Sequence, residues 1–334
     1  MNIGVLGAGT WGMALARMLC LEGHNVTVWS ALPEEIDVLS ATRRHRNLPG
    51  VVLPDAIAFT KNIGEACAAK QILIFAVPSV YVRQTAAAAA PFIPEGQLIV
   101  DAAKGIESET LFTMTEVIED ELKKHGKGGM RLVALSGPTH AEEVSRDIPT
   151  AIVAASRDGA AAEEVQDAFT NDCMRVYTHF DVKGVELCGA VKNVIALAAG
   201  ISSGLGFGDN TKAALITRGM AEIARLGLRL GCDLKTFAGL AGIGDLIVTA
   251  TSVHSRNNRC GQLIGGGMKP DEAVKAVGMV VEGVNALPAT MKLSEQYGVE
   301  MPIAAAVNNV VFHGADAREM VMNLMKREKR AETD

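Results

Sequence analysis

The sequence has no C-x-x-C pair: six cysteines, Cys20, Cys67, Cys173, Cys188, Cys232 and Cys260, are scattered along 334 residues. That spacing suits neither a disulfide framework nor a zinc cage, so free, buried thiols and no metal are expected. A basic, apolar leader is not expected either, since Met1-Asn2-Ile3 runs straight into a β-prone stretch. No apolar run approaches the roughly eighteen residues that cross a bilayer, and the alanines 86–90 are halted by Pro91. Nor is there an excess of positive charge. With 32 Lys and Arg against 38 Asp and Glu the formal net charge is −6, which argues against a general nucleic-acid binder but allows a local basic pocket. Internal repeats and low-complexity segments, beyond alanine-rich helix, are not found. The expectation is a soluble, cytoplasmic protein of about two domains.

What is present is concentrated in the first thirty residues. The run Asn2-Ile3-Gly4-Val5-Leu6 is short and β-prone, and it stops at Gly7-Ala8-Gly9-Thr10-Trp11-Gly12. Apolar residues at helical spacing follow over Met13–Leu19, and a second β-prone run occupies Asn25–Trp29. Strand, glycine turn, helix and strand make one βαβ unit. Gly7, Gly9 and Gly12 match G-x-G-x-x-G, in which the glycines permit a tight turn, close approach of a pyrophosphate, and helix against strand. Free N–H groups at the helix start then face the phosphates. After Trp29 the fingerprint asks for an acidic residue to hold the ribose hydroxyls. Ser30-Ala31-Leu32-Pro33 stands there instead, with neither a carboxylate to repel a 2′-phosphate nor an arginine to grip one. Arg43, Arg44 and Arg46 lie further on and read as a solvated loop. The choice between NAD and NADP stays open.

Continuous apolar runs at 72–77, 98–100 and 132–135 read as parallel strands covered on both faces. They end at Pro78-Ser79, at Asp101-Ala102-Ala103-Lys104-Gly105 and at Ser136-Gly137-Pro138-Thr139. In open α/β sheets ligands bind outside such strand ends. Lys104 is therefore either a site cation or a surface lysine. Thr139 has a local alternative, because with Glu142 it spells a T-x-x-E capping box. Residues 151–155 and 175–178 read as closing strands around a helix at 163–169. Near residue 184 strand signals largely stop. Residues 185–201 form one apolar helix whose only charges are Glu186 and Lys192. An unpaired ammonium among Cys188, Gly189, Ile195, Ala196 and Ala199 would be costly to bury, so Lys192 either has a functional partner or snorkels out. Asn193 adds a second polar group.

A glycine-rich stretch, Gly204–Gly208, precedes Asp209 as a candidate N-cap, and a helix over 211–230 carries Arg218, Glu222 and Arg225 as its polar face. Asp245, after the glycine turn 238–244, is either a helix cap or a site carboxylate. His254-Ser255-Arg256-Asn257-Asn258-Arg259 offers hydroxyl, guanidinium and amide donors that suit an oxyanion, although a solvated loop would look the same. The tail Lys326–Arg330 reads as a fraying helix end.

Taken in order, these stretches resemble the bacterial NAD(P)-dependent sn-glycerol-3-phosphate dehydrogenase family. The resemblance is carried by Gly7–Gly12, Lys104-Gly105, Ser136–Thr139 and Gly189-Ala190-Val191-Lys192-Asn193-Val194. It continues in Gly206-Phe207-Gly208, Gly242-Ile243-Gly244-Asp245-Leu246, Ser255-Arg256-Asn257 and Val281-Glu282-Gly283. It implies an α/β N-terminal Rossmann-type dinucleotide-binding domain, 1–183, and an all-α C-terminal domain, 184–334, with the active site in the cleft between them and a homodimer through the helical part. The implied reaction is the interconversion of dihydroxyacetone phosphate and sn-glycerol 3-phosphate with NAD or NADP, supplying the phospholipid backbone. By the same resemblance Lys192 is the acid/base, Lys104 a second cation near substrate and nicotinamide, and Asp245 the carboxylate that orients the lysine or a substrate hydroxyl. Arg256 with Ser255 and Asn257 would clamp the substrate phosphate, and Gly137 and Thr139 would line the substrate side. Gly7, Gly9, Thr10, Trp11, Gly12, Lys104, Ala141, Arg256, Val280 and Glu282 would contact the cofactor. The departure is at Ser30-Ala31, where relatives often carry a basic or histidine residue. Two rivals are a reductase of this architecture with another substrate, and a non-catalytic NAD(P) sensor.

Overall fold

Strand β1 (Asn2–Leu6) buries every residue but its first, and α1 (Thr10–Leu21) turns Met13, Leu15, Met18 and Leu19 inward. The chain is described here by a computed structural model covering residues 1–329 and 331–332; Arg330, at the end of the tail, lies outside the described residues. Contacts divide it into two compact units, Met1–Gly189 with Lys235–Asp245, and Ala190–Leu234 with Leu246–Asp334.

In the first unit, β1 and α1 lead to β2 (Asn25–Trp29), α2 (Pro33–Thr42), β3 (Ala58–Thr60), α3 (Ile63–Cys67), β4 (Ile72–Phe75) and α4 (Val82–Ala89). Then come β5 (Leu98–Asp101), α5 (Met114–Lys124), β6 (Arg131–Ser136), α6 (Ala141–Val144), β7 (Thr150–Ala155), α7 (Gly159–Phe169) and β8 (Met174–His179). The eight strands form one sheet in the order β3-β2-β1-β4-β5-β6-β7-β8. All neighbours are parallel except β6 and β7. The order reverses between β1 and β4, which puts the switch point beside the glycine turn. The continuous apolar reading of β4 has a simple cause. Ile72 and Ile74 enter the core on one face of the sheet, Leu73 and Phe75 that on the other. β3 escapes sequence reading because three residues with one buried side chain carry no alternation.

The long α8 (Val182–Gly204) begins in the first unit and ends in the second, where α9 (Asp209–Arg229) follows. After α10 (Leu234–Phe237) and a π-helical turn at Leu240–Gly244, α11 (Asp245–Thr251) crosses the same division. The second unit is completed by α12 (Arg256–Gly265), α13 (Pro270–Val277), α14 (Glu282–Gln296), α15 (Pro302–His313) and α16 (Ala317–Met325). The fold is thus an N-terminal Rossmann-type α/β domain joined to an all-α one. By length and composition α8 and the stretch 234–251 could each cross a membrane, but the apolar window of α8 is entirely buried inside the protein, as a core helix is. Small residues let α8 and α12 touch backbone to backbone, since a Cβ at Gly200 would stand 2.1 Å from Asn258 O.

Two local expectations are corrected. Asp209 opens α9, and Gly208 is the N-cap. Glu222 does not belong to a solvated face. It is buried, and its carboxylate accepts the backbone N–H groups of Ile303 and Ala304 at 2.8 and 3.3 Å, which caps the start of α15. Helical spacing placed it beside Arg218 and Arg225 but could not show that α15 would land on it.

Candidate active site

The glycine turn has the geometry its spacing promised. Gly7 has φ +121°, open only to glycine, and a Cβ at Gly12 would sit 2.1 Å from Gly7 O. Gly9 is the N-cap of α1 without any side-chain cap, and a Cβ there would meet nothing within 4 Å. Uncapped N–H groups facing open space fit the pyrophosphate of a dinucleotide. Thr10 opens α1 and accepts from Asn47 Nδ2 at 3.4 Å, and Trp11 packs, half-buried, against the sheet core. His45, whose pKa burial pushes down, accepts from Asn47 N at 3.2 Å, so the segment that reaches Thr10 is itself tied together.

At the end of β2 the sequence reading needs correction. Ser30 is buried, and its Oγ donates to Glu35 Oε2 at 2.7 Å while accepting from Leu32 N at 3.2 Å. A carboxylate therefore does stand at this strand end. It arrives from the first turn of α2, five residues further on than the fingerprint led one to look.

The ends of β5 and β6 build the next group. Asp101 closes β5 and takes the N–H of Ala103 at 3.2 Å, which shapes the turn that presents Lys104. Lys104 Nζ donates to Asp245 Oδ2 at 2.7 Å and to Gly137 O at 3.0 Å. Asp245 is buried and is the first residue of α11, with its carboxylate turned to the lysine. Thr139 does not form the capping box: His140 is the N-cap of α6, without a side-chain cap, and Thr139 Oγ1 donates to Gly137 O at 3.3 Å. Ala141, buried, begins α6. Gly189 of α8 packs where a Cβ would come 3.5 Å from Lys104 Cγ. Nearby, burial holds the Asp101 carboxyl well above its ordinary range, helped by the charge of Glu186. Glu186 is itself pushed up to about 7 by burial, although Thr113 and Thr115 donate to it.

In the second unit Lys192 is 4% exposed, and its Nζ donates to Thr249 Oγ1 at 2.6 Å. Thr249 was not singled out from sequence. The available signal was its position four residues after Asp245, one turn along the same helix. Asn257 is a strut: its Nδ2 donates to Asn193 Oδ1 at 2.8 Å and its Oδ1 accepts from Gly283 N at 2.8 Å, tying α12 to α8 and α14. Ser255 is the N-cap of α12, accepting from Asn258 N. The stretch read as a possible solvated loop is a helix start. Arg256 opens that helix and is exposed, and no hydrogen bond or ion pair engages its guanidinium among the described residues. Half-buried Val280 precedes Val281, the N-cap of α14, and Glu282 begins the helix. Lys104, Asp245, Gly137 and Thr139 thus cluster in one unit, and Lys192, Asn193 and Asn257 stand on connected helices of the other.

A doubly wound sheet with a dinucleotide turn at its switch point, continued by an all-helical part with a buried lysine, defines a nicotinamide-dependent dehydrogenase. Comparison with known proteins narrows the class. Residues 2–162 match the family described as NAD-dependent glycerol-3-phosphate dehydrogenase N-terminus, and 181–322 match its C-terminus. Glycerol-3-phosphate dehydrogenase [NAD(P)+] 2 of Lactobacillus delbrueckii subsp. bulgaricus is 66% identical over 332 residues, covering 99% of this chain and 98% of that one. Glycerol-3-phosphate dehydrogenase [NAD(P)+] of Agathobacter rectalis is 51% identical over 99% of this chain and 97% of its own. The crystal structure of glycerol-3-phosphate dehydrogenase from Coxiella burnetii superposes with a TM-score of 0.93 at 33% identity, over 98% of this chain and 99% of that one. The chain belongs to the NAD-dependent glycerol-3-phosphate dehydrogenase family.

Proposed function

We propose that the protein interconverts dihydroxyacetone phosphate and sn-glycerol 3-phosphate with NAD or NADP, and so supplies glycerol 3-phosphate for phospholipid synthesis. The observation that carries the chemistry is Lys192, an ammonium buried in the apolar core helix α8, whose Nζ donates to Thr249 Oγ1 at 2.6 Å. The cofactor, when bound, supplies the hydride. Lys192 gives its proton to the substrate's carbonyl oxygen in reduction and takes it back in oxidation, with Thr249 fixing Nζ. Lys104, whose counter-ion is Asp245, stabilises charge growing on the substrate oxygen. The phosphate undergoes no bond change, yet Arg256 gripping it would spend remote binding energy on holding the reacting end in place. Asn257, with Asn193, keeps α12 and α8 in register, and Ser255 sets the start of the arginine-bearing helix.

We also read the enzyme as a cytoplasmic homodimer. None of the six cysteines is in a disulfide, and four are buried while Cys20 and Cys173 are half-buried, as suits a reducing compartment. Phe312 of α15 and Met322 and Met325 of α16 are exposed, and α16 buries none of its residues, so apolar surface remains for a second copy to cover. The deciding experiment is spectrophotometric at 340 nm, offering dihydroxyacetone phosphate with NADH and with NADPH. Turnover is expected. Cofactor binding without oxidation by any ketose phosphate would leave the sensor reading in its place.

A further inference from the structure

We propose that Glu35 is the carboxylate that receives the adenosine ribose and thereby selects NAD over NADP. The inference rests on the proposed function, since it specifies the cofactor of that same site. β2 lies parallel to β1 with Trp29 opposite Leu6, and Gly7 N donates to Trp29 O at 2.8 Å. The end of β2 is therefore fixed beside the glycine turn, where the ribose of a dinucleotide comes to rest in folds of this topology. Ser30 is the next residue, and its buried hydroxyl holds Glu35 Oε2 at 2.7 Å. Glu35 is only half-buried, and no hydrogen bond engages Oε1 among the described residues. One oxygen is anchored while the other can accept from ribose hydroxyls.

The opposing cations do not match this anchoring. Arg43 is committed to Ile57 O at 2.8 Å, to Asp55 and to the face of Phe59. Arg44 and Arg46 are exposed, and no hydrogen bond or ion pair fixes either guanidinium among the described residues. A 2′-phosphate would thus meet a positioned negative charge and two untethered positive ones. Like-charge repulsion a few ångströms apart at a half-exposed site changes affinity by roughly tenfold or more.

The test compares NADH and NADPH affinity, by quenching of intrinsic fluorescence, with kcat/KM for each nucleotide, in the wild type, Glu35→Gln and Ser30→Ala. The wild type should favour NADH by roughly tenfold or more. Glu35→Gln should narrow the ratio about tenfold, chiefly through tighter NADPH binding, and Ser30→Ala, which only unties the carboxylate, should move it less in the same direction. Equal affinities in the wild type, or an unchanged ratio in Glu35→Gln, overturns the assignment. If the affinity ratio shifts but neither nucleotide is oxidised by dihydroxyacetone phosphate, the dehydrogenase reading fails while Glu35 keeps its role.

Discussion

Lys104 Nζ and Asp245 Oδ2 are 2.7 Å apart across 141 residues of chain, and the carboxylate is buried to 1% exposure. Removing the lysine takes away the ion-pair partner of the buried Asp245 carboxylate, and breaking a buried pair from one side typically costs about 3–5 kcal/mol, more than the net worth of the pair. Lys104→Met should therefore lower the melting temperature clearly. The double variant Lys104→Met/Asp245→Asn should recover much of that stability by removing the buried charge along with its cation, yet stay inactive. Recovery of turnover along with stability would make the pair purely structural.

Lys192 predicts a different signature. Lys192→Ala should lower kcat by roughly 10²–10⁴, the usual span for losing a positioned acid/base, with NADH affinity kept. Thr249→Val should lose less, because the ammonium survives without its hydroxyl partner. Steady-state kinetics beside a nucleotide titration separates these outcomes; intact turnover in Lys192→Ala removes the lysine from the chemistry.

Arg256 acts on binding. A charge-assisted hydrogen bond to phosphate is worth roughly 1.5–3 kcal/mol, so Arg256→Ala should raise the KM for dihydroxyacetone phosphate about 10- to 100-fold. The readout is KM for the substrate against the Kd for NADH; an unchanged KM dismisses the phosphate clamp.

Glu222 makes stability depend on pH. Burial lifts its pKa to about 7, outweighing the two backbone N–H donors that lower it. A raised carboxyl pKa means that the folded state holds the proton more tightly than the unfolded chain. The stabilisation is thus complete below about pH 4.5 and is lost as pH rises through about 7, on the order of 3 kcal/mol. Glu186, also near 7, contributes in the same direction. Glu222→Gln should partly flatten the fall in melting temperature between about pH 5 and 8, with Glu186 and the raised Asp101 carboxyl supplying the rest. A wild-type melting temperature that climbs over that interval would reverse the assignment.

Which parts of the molecule could be read from sequence follows from the range of the forces involved. The turn Gly7–Gly12, strands β1, β2 and β4, and helix α8 were legible because hydrophobic period and glycine sterics act within a dozen residues. Lys192 was legible as an anomaly, a charge where its neighbours are apolar. Asp245 and Thr139 were ambiguous because a cap and a site residue are spelled alike, and Ser255 because a solvated loop and an oxyanion site are. The structure resolves these locally: Ser255 caps, Thr139 does not, and Asp245 holds Lys104.

The amino-acid order by itself determined the dinucleotide turn, the alternation of strands and helices in the first unit and the all-helical character of the second. Only tertiary structure decided who partners whom. Glu35 returns to Ser30 because α2 folds back over the end of β2, and Glu222 meets α15 because two helices distant in sequence are packed together. A buried polar atom must find a partner or suffer the cost of lost water, and the partner it finds depends on which backbone arrives there. That arrival is a property of the packed chain, and no local spacing encodes it.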